Sequence, residues 1–199
     1  MMKAFILSII FCLLTACGTS PKVNNYLLHN EYADDIAVIA SDAPKVLIKS
    51  FILAEYLNRP QIVSRKGQVA IDVDEFNRWA EPLKTLFIGA FNESMLKQAI
   101  NISQHKQFRD EQFNYQLNLH VMQFEVSDKQ QAHLKVKWQL LNASGSQALM
   151  SHIEIINVPV VAGKGFDQKV KAQSQAIDLL SSRIANKIKA RSGLHTRQP

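Results

Sequence analysis

A thiol at Cys17, preceded by small residues and standing at the end of an apolar run, is the side chain in this sequence best placed for covalent chemistry. The other reactive types do not assemble into a recognisable set. The six histidines, His29, His105, His120, His133, His152 and His195, have no ligand-like spacing, and a chain that loses Cys12 offers no thiolate pair for zinc. No Gly-x-Ser-x-Gly elbow for acyl hydrolysis is present. Gly163-Lys164-Gly165 lacks the earlier glycine and the following Ser or Thr of a phosphate loop. Asp72, Asp74 and Glu75 border a predicted strand end and are expected to face water. No cofactor and no metal site is expected, and the chain does not read as an enzyme.

The apolar run, residues 4–16, follows Lys3. A helix that spans a bilayer needs about 20 apolar residues, so this run is too short. Positive start, short apolar core and small residues before a cleavage point make a secretory signal. Leu14-Thr15-Ala16-Cys17 resembles the bacterial lipobox, which implies cleavage before Cys17 and acylation of its thiol and amine. The alternative is an ordinary secreted protein, cut near Ala16, with Cys17 a free thiol. Cys12 leaves with the signal, so the mature chain can form no internal disulfide. Each buried CH2 contributes about 0.8 kcal/mol, and two chains or more make a stable anchor. Gly18 stands where Asp would signal inner-membrane retention, so by resemblance to that sorting rule the outer membrane is favoured.

The elements that follow divide the chain into a signal (1–16), an acylated tether (17–25), one folded domain (26–191) and a short tail (192–199). Residues 18–25 reach at most roughly 28 Å when extended, which keeps the body close to its membrane. Net charge is +6 in 199 residues. Its basic residues are scattered, unlike the stripe that binds nucleic acid. Strands are expected at 26–28, at 45–53 with apolar residues on both faces, and in a hairpin of 62–65 and 68–72 whose Val69, Ile71 and Val73 point inward. Leu83, Leu86, Phe87, Ala90, Phe91 and Met95 mark one face of a helix opened by Pro82. A short strand at 100–103 and alternating strands over 113–121, 132–140 and 149–158 come next. Asn142-Ala143-Ser144-Gly145 makes a turn, and a last helix covers 166–190. Arg183, Lys187, Lys189 and Arg191 load its C-terminal end, where cations complement the helix dipole. The fold class is α+β: a mostly antiparallel sheet with two helices packed on one face.

One stretch, EYLNRPQIVSRKGQVAIDVDEFNRWAEPL (residues 55–83), carries family information. Tyr56-Leu57-Asn58-Arg59-Pro60-Gln61-Ile62-Val63, followed by Arg78-Trp79-Ala80-Glu81-Pro82-Leu83, resembles the ABC-type transport auxiliary lipoproteins, the PqiC-like family. Asn58 stands where that family usually has Asp. The resemblance implies a non-enzymatic outer-membrane lipoprotein facing the periplasm, a homo-oligomer that assists an envelope-spanning lipid-transport system and so maintains membrane integrity. Its implied partners are a periplasmic subunit of the mammalian-cell-entry (MCE) type and an inner-membrane permease, besides the membrane that holds its acyl chains. An accessory for assembly of an outer-membrane or cell-wall machine is the alternative. Physically, Pro60 fixes its own φ and extends Arg59, whose guanidinium could meet Glu81 or a backbone edge. Tyr56, Arg59, Pro60, Gln61, Trp79 and Glu81 therefore form either a subunit contact or a lock on the strand–hairpin–helix junction.

Overall fold

The structure, a computed structural model, describes residues 21–28, 43–104, 112–161 and 165–193. The signal, Cys17, His29, His105, His195, Gly163-Lys164 and residues 194–199 lie outside the described residues. Along the chain run β1 (Asn24–Tyr26), β2 (Lys45–Leu53), a 3-10 turn (Glu55–Leu57), β3 (Gln61–Lys66), β4 (Ala70–Trp79), α1 (Leu83–Lys97), β5 (Asn101–Ser103), β6 (Tyr115–Ser127), β7 (Gln131–Leu141), β8 (Ala148–Pro159) and α2 (Asp167–Ser192).

The strands make one eight-stranded sheet that branches at β6. One edge of β6 is paired along its length with β7, and β7 with β8, in an antiparallel meander. The opposite edge is shared. Its first half takes β2 in parallel, from Val46 opposite Tyr115 to Leu53 opposite Val121. Its last residues take β3, with Ser64 opposite Val126 and Arg65 opposite Ser127. Beyond β2 lies β5, and beyond β3 lie β4 and then β1. The long pairings are antiparallel and the joins to β2, β3, β5 and β1 are mainly parallel and short, apart from β2 on β6.

Period-2 patterning places Leu117, Leu119 and Val121 of β6, and Leu134, Val136 and Trp138 of β7, on the buried face. There they meet Ile177, Leu180, Ile184 and Ile188, one stripe of α2. The expected apolar face of α1 is buried in full. Pro82 stands just before its first helical residue, as the N-cap. The helix closes with Ala99 in the left-handed region, φ 53°. The Ile100 N–H then donates to the Met95 carbonyl and the Ala99 N–H to the Leu96 carbonyl, a Schellman closure built without glycine.

Four expectations change. The first strand is Asn24–Tyr26 rather than 26–28, and Leu27 just beyond it is exposed. A bulge between Ile48 and Ser50 resets the alternation of β2, so Phe51 packs on the core while Ile52 faces out. The β3–β4 ribbon extends beyond its neighbours: Val69 is 94% exposed and Ile71 40%, where an inward alternation was expected. Asp72, Asp74 and Glu75 lie within β4 rather than at a strand end. Asp74 accepts hydrogen bonds from the Phe76 and Asn77 backbones and the Asn77 amide, at 2.9–3.0 Å. Burial works against its charge, but those bonds and Lys169 together hold its carboxyl below the usual range.

Candidate functional site

The family-like motif folds into a surface cleft of about 350 Å³, walled by residues 58–60 on one side and 79–83 on the other. After β2, the 3-10 turn buries Leu57, and the Asn58 N–H closes it on the Glu55 carbonyl. Pro60, with no donor of its own, offers its carbonyl to the Trp79 N–H at 2.7 Å. The next amide along, Ala80, donates to the Tyr26 carbonyl of β1. The first bond straps the two walls together, and the second ties the 79–83 wall to β1.

The Trp79 indole is 5% exposed and forms the floor. It stacks on Phe124 at 6.4 Å between centroids, Phe124 meets Phe87 edge-on at 5.4 Å, and Phe87 touches Phe51 at 5.4 Å. A chain of rings thus runs from the cleft into the centre of the core, each contact contributing beyond its buried area. At the rim, Arg59 and Glu81 are exposed. Neither side chain has a hydrogen-bond or ion-pair partner among the described residues. The contact between them that the sequence suggested is not formed. The cleft therefore presents a fork of donors, a carboxylate and the edge of an aromatic floor. The residues lining it include no nucleophile–base pair.

Tyr56 and Gln61 are placed elsewhere. Gln61 is half-buried opposite Arg78 and does not line the cleft. The Tyr56 hydroxyl donates to Oε2 of Glu125 at 2.7 Å. Glu125 lies on the sheet face away from the helices yet is 0% exposed. Its Oε2 also accepts the Phe124 N–H at 2.8 Å, and its Oε1 accepts Arg65 Nε at 2.6 Å, with Nη2 beside it. Arg65 Nη1 reaches the Gln68 carbonyl at 3.2 Å. Burial, then the Glu125 carboxylate, pushes the Tyr56 hydroxyl well above its ordinary pKa. The hydrogen bond to Glu125 likewise holds the Arg65 proton more firmly. This network crosses the branch of the sheet, joining the 3-10 turn, β3 and β6. Arg65 and Glu125 were not singled out in the sequence. The one available signal is a carboxylate inside the apolar run Phe124-Glu125-Val126.

Three other residues singled out in the sequence have partners within the fold. His133 bridges Asn157 Oδ1 at 2.7 Å and Ser127 Oγ at 3.0 Å, and His152 stacks on Trp138. Arg183, in the basic end of α2, pairs with Glu154 at 3.0 Å. Among the described residues no group of His, Cys, Asp and Glu is arranged to hold a metal ion, and no helix is long and apolar enough to cross a membrane.

The fold has relatives among solved structures. An uncharacterised protein is similar with a TM-score of 0.68 at 18% identity, over 84% of this chain and 99% of its own. Protein XCC0632 from Xanthomonas campestris, of the DUF330 family, is similar with a TM-score of 0.59 at 16% identity, over 76% and 93%. At these identities the likeness concerns the fold alone. No curated protein matches the sequence. The family model of the ABC-type transport auxiliary lipoprotein component matches residues 26–185, which takes in the cleft, the buried network, all of α1 and α2 as far as residue 185, and the chain belongs to that family.

Proposed function

We propose that this protein is an outer-membrane lipoprotein, facing the periplasm, that serves an envelope-spanning ABC transport system for lipids as a non-catalytic docking subunit. The cleft is the docking point for a periplasmic partner of the mammalian-cell-entry type, and an inner-membrane permease completes the system. Family membership supports the transport role, and the signal ending in Leu14-Thr15-Ala16-Cys17 supports the anchor. The observation that carries the docking role is the exposed, unpaired Arg59 beside a rigid, buried Trp79. A guanidinium with no internal partner contributes nothing to the fold by pairing, while Arg and Trp are the side chains that most often dominate interfaces.

The test is capture of the acylated protein from solubilised membranes, with identification of what accompanies it. Wild-type protein should retain a permease and a periplasmic MCE-type subunit. Arg59→Ala should lose the periplasmic subunit by roughly 30-fold or more in affinity, the effect of about 2 kcal/mol at an interface anchor, while its melting temperature stays near wild type. Capture of cell-wall or outer-membrane assembly proteins in place of transport subunits would reject the transport role. Undiminished capture by Arg59→Ala would reject the cleft as the docking point.

A further inference from the structure

We infer that the tip of the β3–β4 ribbon is a second membrane contact, seated in the same bilayer surface that holds the acyl chains; this rests on the anchor proposed at Cys17. The tip is the turn 67–69, closed by Gly67 at φ 65°. Val69, at 94% exposed, and the outward Ile71 make it apolar, with Lys66 beside them. An isolated apolar side chain on a surface is ordinary. Here its direction and reach decide the matter.

Strand β1 runs parallel to β4, with Asn24 opposite Asn77 and Tyr26 opposite Trp79. The chain leading back from Asn24 towards Cys17 therefore leaves β1 in the direction of Ala70, the tip end of β4. Asn24 lies seven chain steps from Cys17, and Asn77 seven from Ala70. The first distance is at most about 25 Å in an extended chain, and the second is about 24 Å at the rise of a strand. A taut tether brings the acylated cysteine level with the tip. A tether shorter than fully extended would set the acylated cysteine short of the tip, so that the tip reaches the bilayer first.

The rest of that end of the molecule suits an interface. The β6–β7 turn braces the ribbon, with Asp128 Oδ2 accepting the Gly67 N–H at 2.9 Å and the Asp128 N–H donating to the Arg65 carbonyl at 3.0 Å. Lys129 lies in that turn, and the exposed Val161 follows Val160, whose N–H donates to the Gln130 carbonyl. Valines that enter the headgroup–acyl boundary, flanked by lysines at phosphate level, are the pattern of an interfacial contact. The β7–β8 turn at Ser144 is at the opposite end of the sheet, because β7 runs away from the β6–β7 turn.

The experiment uses the processed, membrane-extracted protein, reconstituted into vesicles of phosphatidylethanolamine and phosphatidylglycerol. Val69→Cys and Ser144→Cys are labelled with an environment-sensitive nitrobenzoxadiazole dye. With Cys12 removed and Cys17 acylated, wild-type protein takes up no dye, so labelling of wild type reports failure of the anchor separately. The dye at position 69 should shift to the blue and be quenched by brominated acyl chains, and the dye at 144 should do neither. Water-like emission at 69, or equal quenching at both positions, overturns the inference.

Discussion

Removing the guanidinium of Arg65 while leaving Glu125 in place should be among the most damaging single changes available to this fold. Arg65→Met keeps the aliphatic stem that covers the sheet and deletes only the charge and its donors. Glu125 would then hold a carboxylate at 0% exposure with Tyr56 and the Phe124 N–H left on one oxygen and nothing on the other. Breaking a buried pair in this way costs about 3–5 kcal/mol, out of the roughly 5–15 kcal/mol that holds a domain together. The Arg65 side chain is itself 21% exposed, so water can enter behind it and the lower end of that range applies. For a chain of this size 1 kcal/mol moves the melting temperature by about 2–4 °C, so a loss of roughly 6–12 °C is expected. Arg65→Met/Glu125→Gln should recover most of it, since a glutamine carbonyl still accepts from Tyr56 and the backbone while the uncompensated charge is gone. Urea unfolding followed by the fluorescence of buried Trp79 and Trp138 measures both. A loss below about 1 kcal/mol for Arg65→Met, the range of a surface pair, or a double variant no better than the single, would refute the account of a buried charge held by one partner.

The cleft separates two roles. Trp79→Ala should cost about 3–5 kcal/mol as a buried ring is truncated, and Arg59→Ala almost nothing in thermal melts; equal losses would make the motif a folding lock. Cys17→Ser should move the protein from the membrane to the soluble fraction or leave it unprocessed, and Gly18→Asp should shift it from outer to inner membrane in density gradients. Ala99→Gly should stabilise by roughly 1 kcal/mol, because glycine adopts the left-handed φ of 53° without the Cβ clash, read as a higher urea midpoint. Asp74 has a depressed pKa in the folded state. Its contribution is complete above the ordinary carboxylate value near 3.9 and is lost as pH falls through the folded value, so wild type should lose more stability than Asp74→Asn when pH is lowered from neutrality to about 3.

Much of the fold was legible because period and burial agree. The alternation over β6 and β7, the spacing of α1 and the stripe of α2 each bury the side chains their patterns indicate. Strand β2 was placed at its observed bounds, but with apolar residues on both faces its alternation could not show the bulge between Ile48 and Ser50, which adds one residue without changing composition. Val69 and Ile71 alternate as core residues do; that they lie exposed, outside the core, depends on how far β6 extends alongside β3, which no local pattern encodes. The cleft was visible as a motif before it had a shape. Arg65 and Glu125 were invisible as a pair because sixty positions separate them: Glu125 inside its apolar run signals a buried carboxylate, but nothing local names Arg65 as its partner.

The branch at β6 also dictates an order of assembly. The β6–β7–β8 meander is made of neighbours in sequence, whereas β2 and β3 both wait for an edge that lies far downstream of them. Pairings of high sequence separation form late, because the loop must be closed before any contact compensates for it. A chain interrupted before Tyr115 holds the whole family-like motif yet has no strand on which to seat it. The first half of the protein is consequently a passenger until its last strands arrive, and the cleft comes into being only with the finished molecule.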